Sequence, residues 1–325
     1  MNESMDLNNI KKLVFSGGGL AGLITIGALH RFEQEIKKPV NEQIDTYVGS
    51  SIGAIISVLL SIGYTPKELF KEMKKQKMLE IEVSIDNLID MYGLDPGMQI
   101  LDWIGDIIEK KQITREITLE ELYAKTQKRV VLITTCVDDQ KSLALDYILF
   151  PKLKLLHAIR MSIGIPFIFT AVLWQNKRYV DGGILNNYPI DLFDANDTTV
   201  LGFMLFTKPC ELPTNQENPS HGLDFKDYTL KLFGCLTQKM AALYYENRKH
   251  QTVLLRNSET LTFQFNISNS HKKKLFSIGI DQMNLYLQHR QHYKSSISTS
   301  PSSSSNTTVS SGVLAETATS SGISL

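Results

Sequence analysis

The chain has 325 residues, of which 42% are hydrophobic, and its formal net charge at pH 7 is zero. This length allows one sizeable buried core with appendages, and the balanced charge excludes the basic footprint typical of nucleic-acid binding. No apolar run approaches the ~18 residues that span a bilayer. The N-terminal residues lack the basic-then-apolar pattern of a signal peptide. We therefore expect a cytoplasmic protein whose association with membranes is peripheral.

The three cysteines, Cys136, Cys210 and Cys235, are odd in number and far apart in the sequence. This pattern predicts reduced thiols in a reducing compartment rather than a disulfide framework. The sequence contains no C-x-x-C or H-E-x-x-H spacing, so we expect neither a metal site nor a cofactor.

A glycine-rich turn follows the first strand signal. The short apolar run Leu13–Phe15 is followed by Gly17, Gly18 and Gly19, and then by Gly22 at the start of a helical pattern. Glycines at a helix start leave backbone N–H groups pointing into open space, where they can cradle a phosphate or a tetrahedral oxyanion.

The same turn has a rival interpretation, because Gly17, Gly19 and Gly22 satisfy the dinucleotide-binding pattern G-x-G-x-x-G. That pattern requires an acidic residue at the end of the second strand, where it binds the ribose. The second strand signal, Thr46–Val48, is not followed by an acid. We therefore rank an oxyanion hole above a nucleotide site.

The second strand signal leads into a G-x-S-x-G pattern centred on Ser51, with Gly49 and Gly53 on either side. An apolar helical run, Ala54–Leu60, comes next. A serine on such a strand-to-helix turn is a nucleophile elbow, because the glycines permit a sharp turn that exposes the hydroxyl at a helix N-terminus. The helix dipole there favours the negative charge of an alkoxide.

The middle of the chain predicts an alternation of helices and strands. Capping boxes at Thr65–Glu68 and Thr118–Glu121 each indicate a helix start. Another helical pattern covers Lys154–Ser162. Strand signals lie at Val130–Thr135, Leu143–Ile148 and Val200–Phe206, the second as a hairpin partner of the first. We expect an α/β core of three layers, with a mostly parallel central sheet.

A third motif, Asp181-Gly182-Gly183, follows the strand-like residues Arg178–Val180. It places a carboxylate at the end of a strand, on a turn that carries no bulky side chain.

The C-terminal third is predicted to be helical and then unstructured. Asp224–Arg248 reads as an amphipathic helix that packs one side on the core as an extra layer. The expected core-facing residues are Tyr228, Leu232, Cys235, Leu236, Met240 and Leu243. A final helix is predicted over Ser277–His292, and the following Ser/Thr-rich tail is expected to be disordered. The predicted divisions are a core at 10–205, a helical extension at 206–293 and a tail at 294–325.

With these motifs in this order, the chain resembles the patatin-like phospholipases over residues 10–205. The stretches Ala158–Phe167 and Tyr179–Pro189 are also similar to that family. One departure is Ala21, where many members carry a basic residue.

The resemblance implies a lipid acyl hydrolase that cleaves fatty-acyl esters of glycerophospholipids. Ser51 would be the nucleophile and Asp181 the base of a catalytic dyad, with the backbone of Gly17, Gly18 and Gly19 as oxyanion hole. Because a carboxylate is a weak base in water, the pKa of Asp181 should be raised by burial. The resemblance also implies a phospholipid membrane surface as partner, and a protein activator as required by several members.

Two alternatives stay open at this stage. The order serine, aspartate, histidine also fits a Ser-His-Asp hydrolase, for which His221, His250 and His271 follow Asp181 in the chain. The other alternative is a lipid-binding module whose site no longer turns over.

Overall fold

The computed structural model describes residues 5–75, 83–207, 225–257 and 267–298, with no side-chain description at 226 or beyond 290. Predictions about Cys210, His221, the His292 side chain and the tail beyond residue 298 lie outside the described residues.

The described strands are β1 Lys12–Phe15, β2 Thr46–Ser50, β3 Gly93–Asp95, β4 Arg129–Cys136, β5 Lys141–Leu145, β6 Phe167–Phe169, β7 Val172–Trp174, β8 Lys177–Asp181, β9 Val200–Thr207 and β10 Thr252–Asn257. The described helices are α1 Gly22–Ile36, α2 Val40–Gln43, α3 Ile52–Ser61, α4 Pro66–Lys75, α5 Ile85–Met91, α6 Met98–Glu109, α7 Leu119–Thr126, α8 Leu155–Ser162, α9 Gly183–Asn186, α10 Phe225–Tyr245 and α11 Asn269–Ser298.

Local sequence signals position several of these elements. Both predicted capping boxes form: Thr65 and Glu68 exchange hydrogen bonds at the start of α4, and Thr118 and Glu121 do so at the start of α7. The hairpin partner of β4 is β5, which begins two residues earlier than predicted. The final helix, α11, is longer than predicted at both ends and includes residues 294–298, which we expected to belong to the tail.

The central sheet has the strand order β10-β9-β1-β2-β4-β8-β7, with β5 also paired to β4. The strands from β10 to β4 are parallel, whereas β5 and β8 are antiparallel to β4 and β7 is antiparallel to β8. A separate parallel pair is formed by β3 and β6.

Helices cover both faces of the sheet. Leu13 and Phe15 of β1 belong to the large core that includes the buried faces of α1, α3 and α8. Val14, whose side chain points the other way, packs with a second group that includes Tyr188 and Ala241 of α10. The architecture is therefore the predicted three-layer α/β/α fold.

The predicted amphipathic helix exists, but its orientation differs from the prediction. The side chains of α10 that pack inward are Leu230, Phe233 and Ala241. Most of the stripe that we expected to face the core is exposed, including Tyr228, Leu232, Cys235, Leu236 and Leu243. The helix carries apolar residues on two faces, and periodicity alone does not distinguish which of them meets the sheet.

Candidate active site

Strand register brings the serine and aspartate motifs to the same edge of β4. Ser50 at the end of β2 pairs with Ile133, and Asp181 at the end of β8 pairs with the next residue, Thr134. Because β5 pairs with 132–136, it occupies the opposite edge of β4. The C-terminal ends of β2 and β8 therefore face each other along this edge. Ser51, the residue after β2, lies where the two ends meet.

Ser51 lies on a strained turn between β2 and α3. Its backbone has φ 56° and ψ −126°, a left-handed conformation that a residue with a side chain adopts at a cost of about 1–3 kcal/mol. A Cβ on Gly49 would lie only 2.1 Å from the Gly53 carbonyl oxygen, so the turn closes only because Gly49 has no side chain. A Cβ on Gly53 would lie 2.5 Å from the Phe15 carbonyl oxygen, so Gly53 allows α3 to approach β1 closely. This geometry is that of the predicted nucleophile elbow.

The glycine loop after β1 has fewer backbone N–H groups free to bind an oxyanion than the sequence predicts. The N–H of Gly17 already donates a 3.1 Å hydrogen bond to the Asn187 carbonyl. Within the described part of the chain, the N–H groups of Gly18 and Gly19 have no acceptor. The backbone donors open to an anion are therefore those of Gly18 and Gly19, together with the N-terminus of α3, where Ile52 follows Ser51.

Asp181 is fully buried where β8 ends. Its N–H donates to the Gly164 carbonyl at 2.8 Å, and its Oδ1 accepts from the Gly183 N–H at 2.7 Å. Burial raises the pKa of Asp181 to about 7, although the Gly183 N–H and the nearby Ser51 hydroxyl both act to lower it. No described group donates a hydrogen bond of standard geometry to Oδ2. A buried carboxylate with a raised pKa and a serine hydroxyl beside it is suited to accept the proton of that hydroxyl.

The remaining motif glycines lie around these groups. Gly22 begins α1 against the side chain of Ile52. Gly182 packs against the Ile133 carbonyl, and Gly183 opens α9 beside Asp181.

Asn187 is a site residue that the sequence reasoning did not single out. Besides its carbonyl bond to Gly17, its Oδ1 would lie 2.3 Å from a Cβ on Gly17 and 2.9 Å from one on Gly183. The side chain therefore lies between the glycine loop and the aspartate turn. Its neighbour Asn186 instead donates to Asp191 Oδ1 at 2.9 Å. Nothing in the pair of adjacent asparagines indicates which of them faces the site.

None of the histidine side chains that the structure describes hydrogen-bonds to Ser51 or Asp181. His30 stacks on Phe276 with ring centroids 5.6 Å apart, and His250 Nε2 lies 2.8 Å from the Ala195 carbonyl oxygen. The described histidines therefore give no support to a Ser-His-Asp triad.

The fold and the site together define a three-layer α/β/α protein with a serine on a strand-to-helix elbow and a buried aspartate beside it. The family model for patatin-like phospholipases matches residues 13–194, which is more than half of the chain. The chain belongs to the patatin-like phospholipase family.

The proteins similar to this chain include the following curated proteins and solved structure. A probable lipid hydrolase of Invertebrate iridescent virus 6 is 34% identical over 187 residues, covering 56% of this chain and 62% of its own length. An uncharacterized protein of Acanthamoeba polyphaga mimivirus is 28% identical over 295 residues, covering 84% of this chain and 92% of its own. The crystal structure of VipD from Legionella pneumophila superposes with a TM-score of 0.54 at 15% identity, covering 87% of this chain and 67% of VipD.

Two further features bear on the class of protein. No helix among the described residues is both long and apolar enough to cross a membrane. The described side chains also contain no cluster of three or more histidine, cysteine or acidic residues suited to a metal ion.

Proposed function

We propose that the protein is a lipid acyl hydrolase of the phospholipase A type, which cleaves fatty-acyl esters of glycerophospholipids through a Ser51–Asp181 dyad. The observation that carries the proposal is the buried carboxylate of Asp181 beside the elbow serine: desolvation raises the pKa of Asp181 to about 7, against the lowering effect of a hydrogen bond from the Ser51 hydroxyl. The match of residues 13–194 to the patatin-like phospholipases supports a lipid as the substrate.

In the first half-reaction, Ser51 Oγ attacks the ester carbonyl as Asp181 takes its proton. The oxyanion forms against the free N–H groups of Gly18 and Gly19, where one such donor lowers the barrier by roughly 3 kcal/mol. Collapse of the tetrahedral intermediate breaks the bond to the glycerol oxygen. Protonated Asp181 returns the proton to that oxygen, and the lysophospholipid leaves.

In the second half-reaction, water attacks the acyl group held on Ser51. Asp181 takes one proton of the water, a second oxyanion forms in the same place, and collapse releases the fatty acid as the proton returns to Ser51 Oγ. The aspartate serves as base and then as acid in each half-reaction, which requires a pKa near the working pH.

The test is fatty-acid release from mixed phospholipid vesicles by the wild type, Ser51→Ala and Asp181→Asn. Each protein is also labelled with a fluorophosphonate probe, which reports a reactive serine. Its fold is checked by circular dichroism. We expect release by the wild type alone, labelling that depends on Ser51, and an unchanged fold in both variants. Release that survives Ser51→Ala would overturn the mechanism, and a folded wild type that neither hydrolyses vesicles nor is labelled would overturn the proposed activity.

Alanine variants of every histidine, including His221 and His292, separate a dyad from a triad. A dyad predicts that each retains activity within a few-fold of wild type. If the activity falls by several orders of magnitude when one histidine is changed, that histidine rather than Asp181 is the immediate base.

A further inference from the structure

The short helix α5 presents apolar side chains to solvent. None of its residues is buried, and Ile85 and Ile89, one turn apart, are 68% and 69% exposed. Met91 and Tyr92, at its end, are also exposed. A helix in this position is ordinarily apolar on the side that faces the core, so this arrangement points to an external apolar partner.

The outer face of α10 has the same character. Its exposed large side chains recur every three or four residues along most of the helix, at Phe225, Tyr228, Leu232, Leu236 and Leu243. This spacing aligns them in a stripe about 27 Å long. The helix sequence includes three lysines and a single aspartate, and Lys239 lies within the stripe.

Both helices contact the small β3–β6 sheet, α5 through β3 and α10 through β6. The Phe167 N–H donates to the Tyr92 carbonyl at 3.2 Å, and the Phe167 side chain is exposed. On the α10 side, Leu230 and Phe233 pack with Ile168. The segment that leads into β6 includes Gly164, whose carbonyl accepts from the N–H of Asp181. The exposed side chains therefore lie on two helices that share this small sheet, and the segment leading into the sheet is hydrogen-bonded to Asp181.

We propose that this surface, the apolar rim, docks on a phospholipid bilayer. The rim is formed by Ile85, Ile89, Phe167, Tyr228, Leu232 and Leu236. The inference rests on the proposed function, because an enzyme that cleaves acyl esters must take them from a membrane in which the acyl chains are buried. Insertion of the rim removes its apolar surface from water, and Lys239, within the α10 stripe, lies at the level of the lipid phosphates.

The binding test uses Ser51→Ala protein, so that no vesicle is degraded. Sedimentation with sucrose-loaded vesicles of phosphatidylcholine and phosphatidylglycerol is compared for three double variants. Ile85→Gln/Ile89→Gln alters α5 and Leu232→Gln/Leu236→Gln alters α10. The matched control, Ile148→Gln/Leu149→Gln, removes two equally exposed side chains near Asp146, which binds Arg129 at the opposite end of β4.

We expect each rim variant to lower the vesicle partition coefficient about tenfold or more, and the control variant to bind like the parent protein. Binding should persist at raised salt, because insertion rather than charge holds the surface. Equal binding by all the proteins would overturn the proposal. So would a rim variant that leaves vesicle binding unchanged and instead dissociates a dimer in sedimentation velocity, since a second copy would then cover the rim.

Activity of the same substitutions in the Ser51 protein separates docking from chemistry. If the rim docks on the bilayer, each rim variant should have a lower ratio of vesicle hydrolysis to hydrolysis of a soluble short-chain ester than the wild type. The ratio should fall by the same factor as vesicle binding. Rim-dependent vesicle binding by a protein that hydrolyses neither substrate would support the docking surface and overturn the proposed function. Hydrolysis of both substrates at the wild-type ratio in the rim variants would support the function and overturn the docking surface.

Discussion

The backbone N–H of Gly17 donates a 3.1 Å hydrogen bond to the backbone carbonyl of Asn187. This bond joins the glycine loop after β1 to the segment that follows Asp181. It fixes the position of the candidate oxyanion donors, Gly18 and Gly19, relative to the candidate base. The two halves of the site are therefore coupled directly, as well as through the sheet.

Gly17→Ala should lower ester hydrolysis by about a hundredfold, because its Cβ would lie 2.3 Å from Asn187 Oδ1 and displace the loop. Adding Asn187→Ala removes that contact and leaves the one with Ser51 Cβ at 3.0 Å. The double variant should therefore be more active than Gly17→Ala alone, as measured by kcat/KM on a soluble ester. If the two substitutions instead lower kcat/KM by independent factors that multiply in the double variant, the contact between Gly17→Ala and Asn187 is not the cause of the loss.

The pH dependence of catalysis should follow the raised pKa of Asp181. Because the carboxylate is the base, kcat/KM on a soluble short-chain ester should rise with pH to a plateau, with a midpoint near the Asp181 pKa of about 7. The change should approach tenfold per pH unit on the acidic side. A midpoint near 4, the ordinary value for aspartate, would contradict a desolvated base.

The same pKa makes Asp181 a cost to stability. Between its ordinary pKa of about 4 and its folded value of about 7, the folded protein binds one proton more than the unfolded chain. Stability therefore falls as pH rises through this interval, by up to about 1.4 kcal/mol per unit. Asp181→Asn lacks this cost, so its free energy of unfolding in urea should exceed that of wild type by a margin that grows over the interval. A margin independent of pH would be inconsistent with the raised pKa.

Arg160 should be a major contributor to the stability of the β3–β6 region. Its Nε donates to the Pro96 carbonyl at 3.0 Å and its Nη2 to the Thr170 carbonyl at 2.7 Å, and burial lowers its pKa to about 10. A lysine cannot reach both carbonyls, so Arg160→Lys should lower the free energy of unfolding by about 2–4 kcal/mol. The control is Arg178→Lys, whose guanidinium pairs with Asp138 at the surface and should cost less than about 1 kcal/mol. Equal effects in urea titrations would contradict this role.

The contact between α1 and α11 depends on glycine. A Cβ on Gly27 would lie 2.0 Å from the Phe276 carbonyl oxygen, so Gly27→Ala should destabilise the protein by about 2 kcal/mol or more. Gly105→Ala in α6 is the matched control, because the three atoms nearest to its Cβ belong to the movable guanidinium of Arg115 rather than to the backbone. The control should be neutral or more stable by up to about 1 kcal/mol. Thermal unfolding of the two variants compares them directly, and a similar loss in both would show that the close contact with the Phe276 carbonyl is not the reason that Gly27 is needed.

Features that depend on neighbours in the sequence were predictable. The capping box at Thr118 and Glu121 forms because its partners are three residues apart, and the elbow at Ser51 forms because glycines flank it. The orientation of α10 was predicted wrongly for the opposite reason. Leu232 and Leu230 are equally apolar, and Leu230 is the buried one because it packs with Ile168 in the folded protein.

The sequence by itself determined the elbow serine, the Asp-Gly-Gly turn and the alternation of strands and helices, because these follow from side-chain size, glycine freedom and hydrophobic period over a few residues. Only the tertiary structure decided that Gly17 is already bonded to Asn187, that Asp181 is fully buried with a raised pKa, and that the outer face of α10 stays exposed. Desolvation and the choice of hydrogen-bond partner depend on which distant segments pack together, and that information is not contained in any local stretch of the chain.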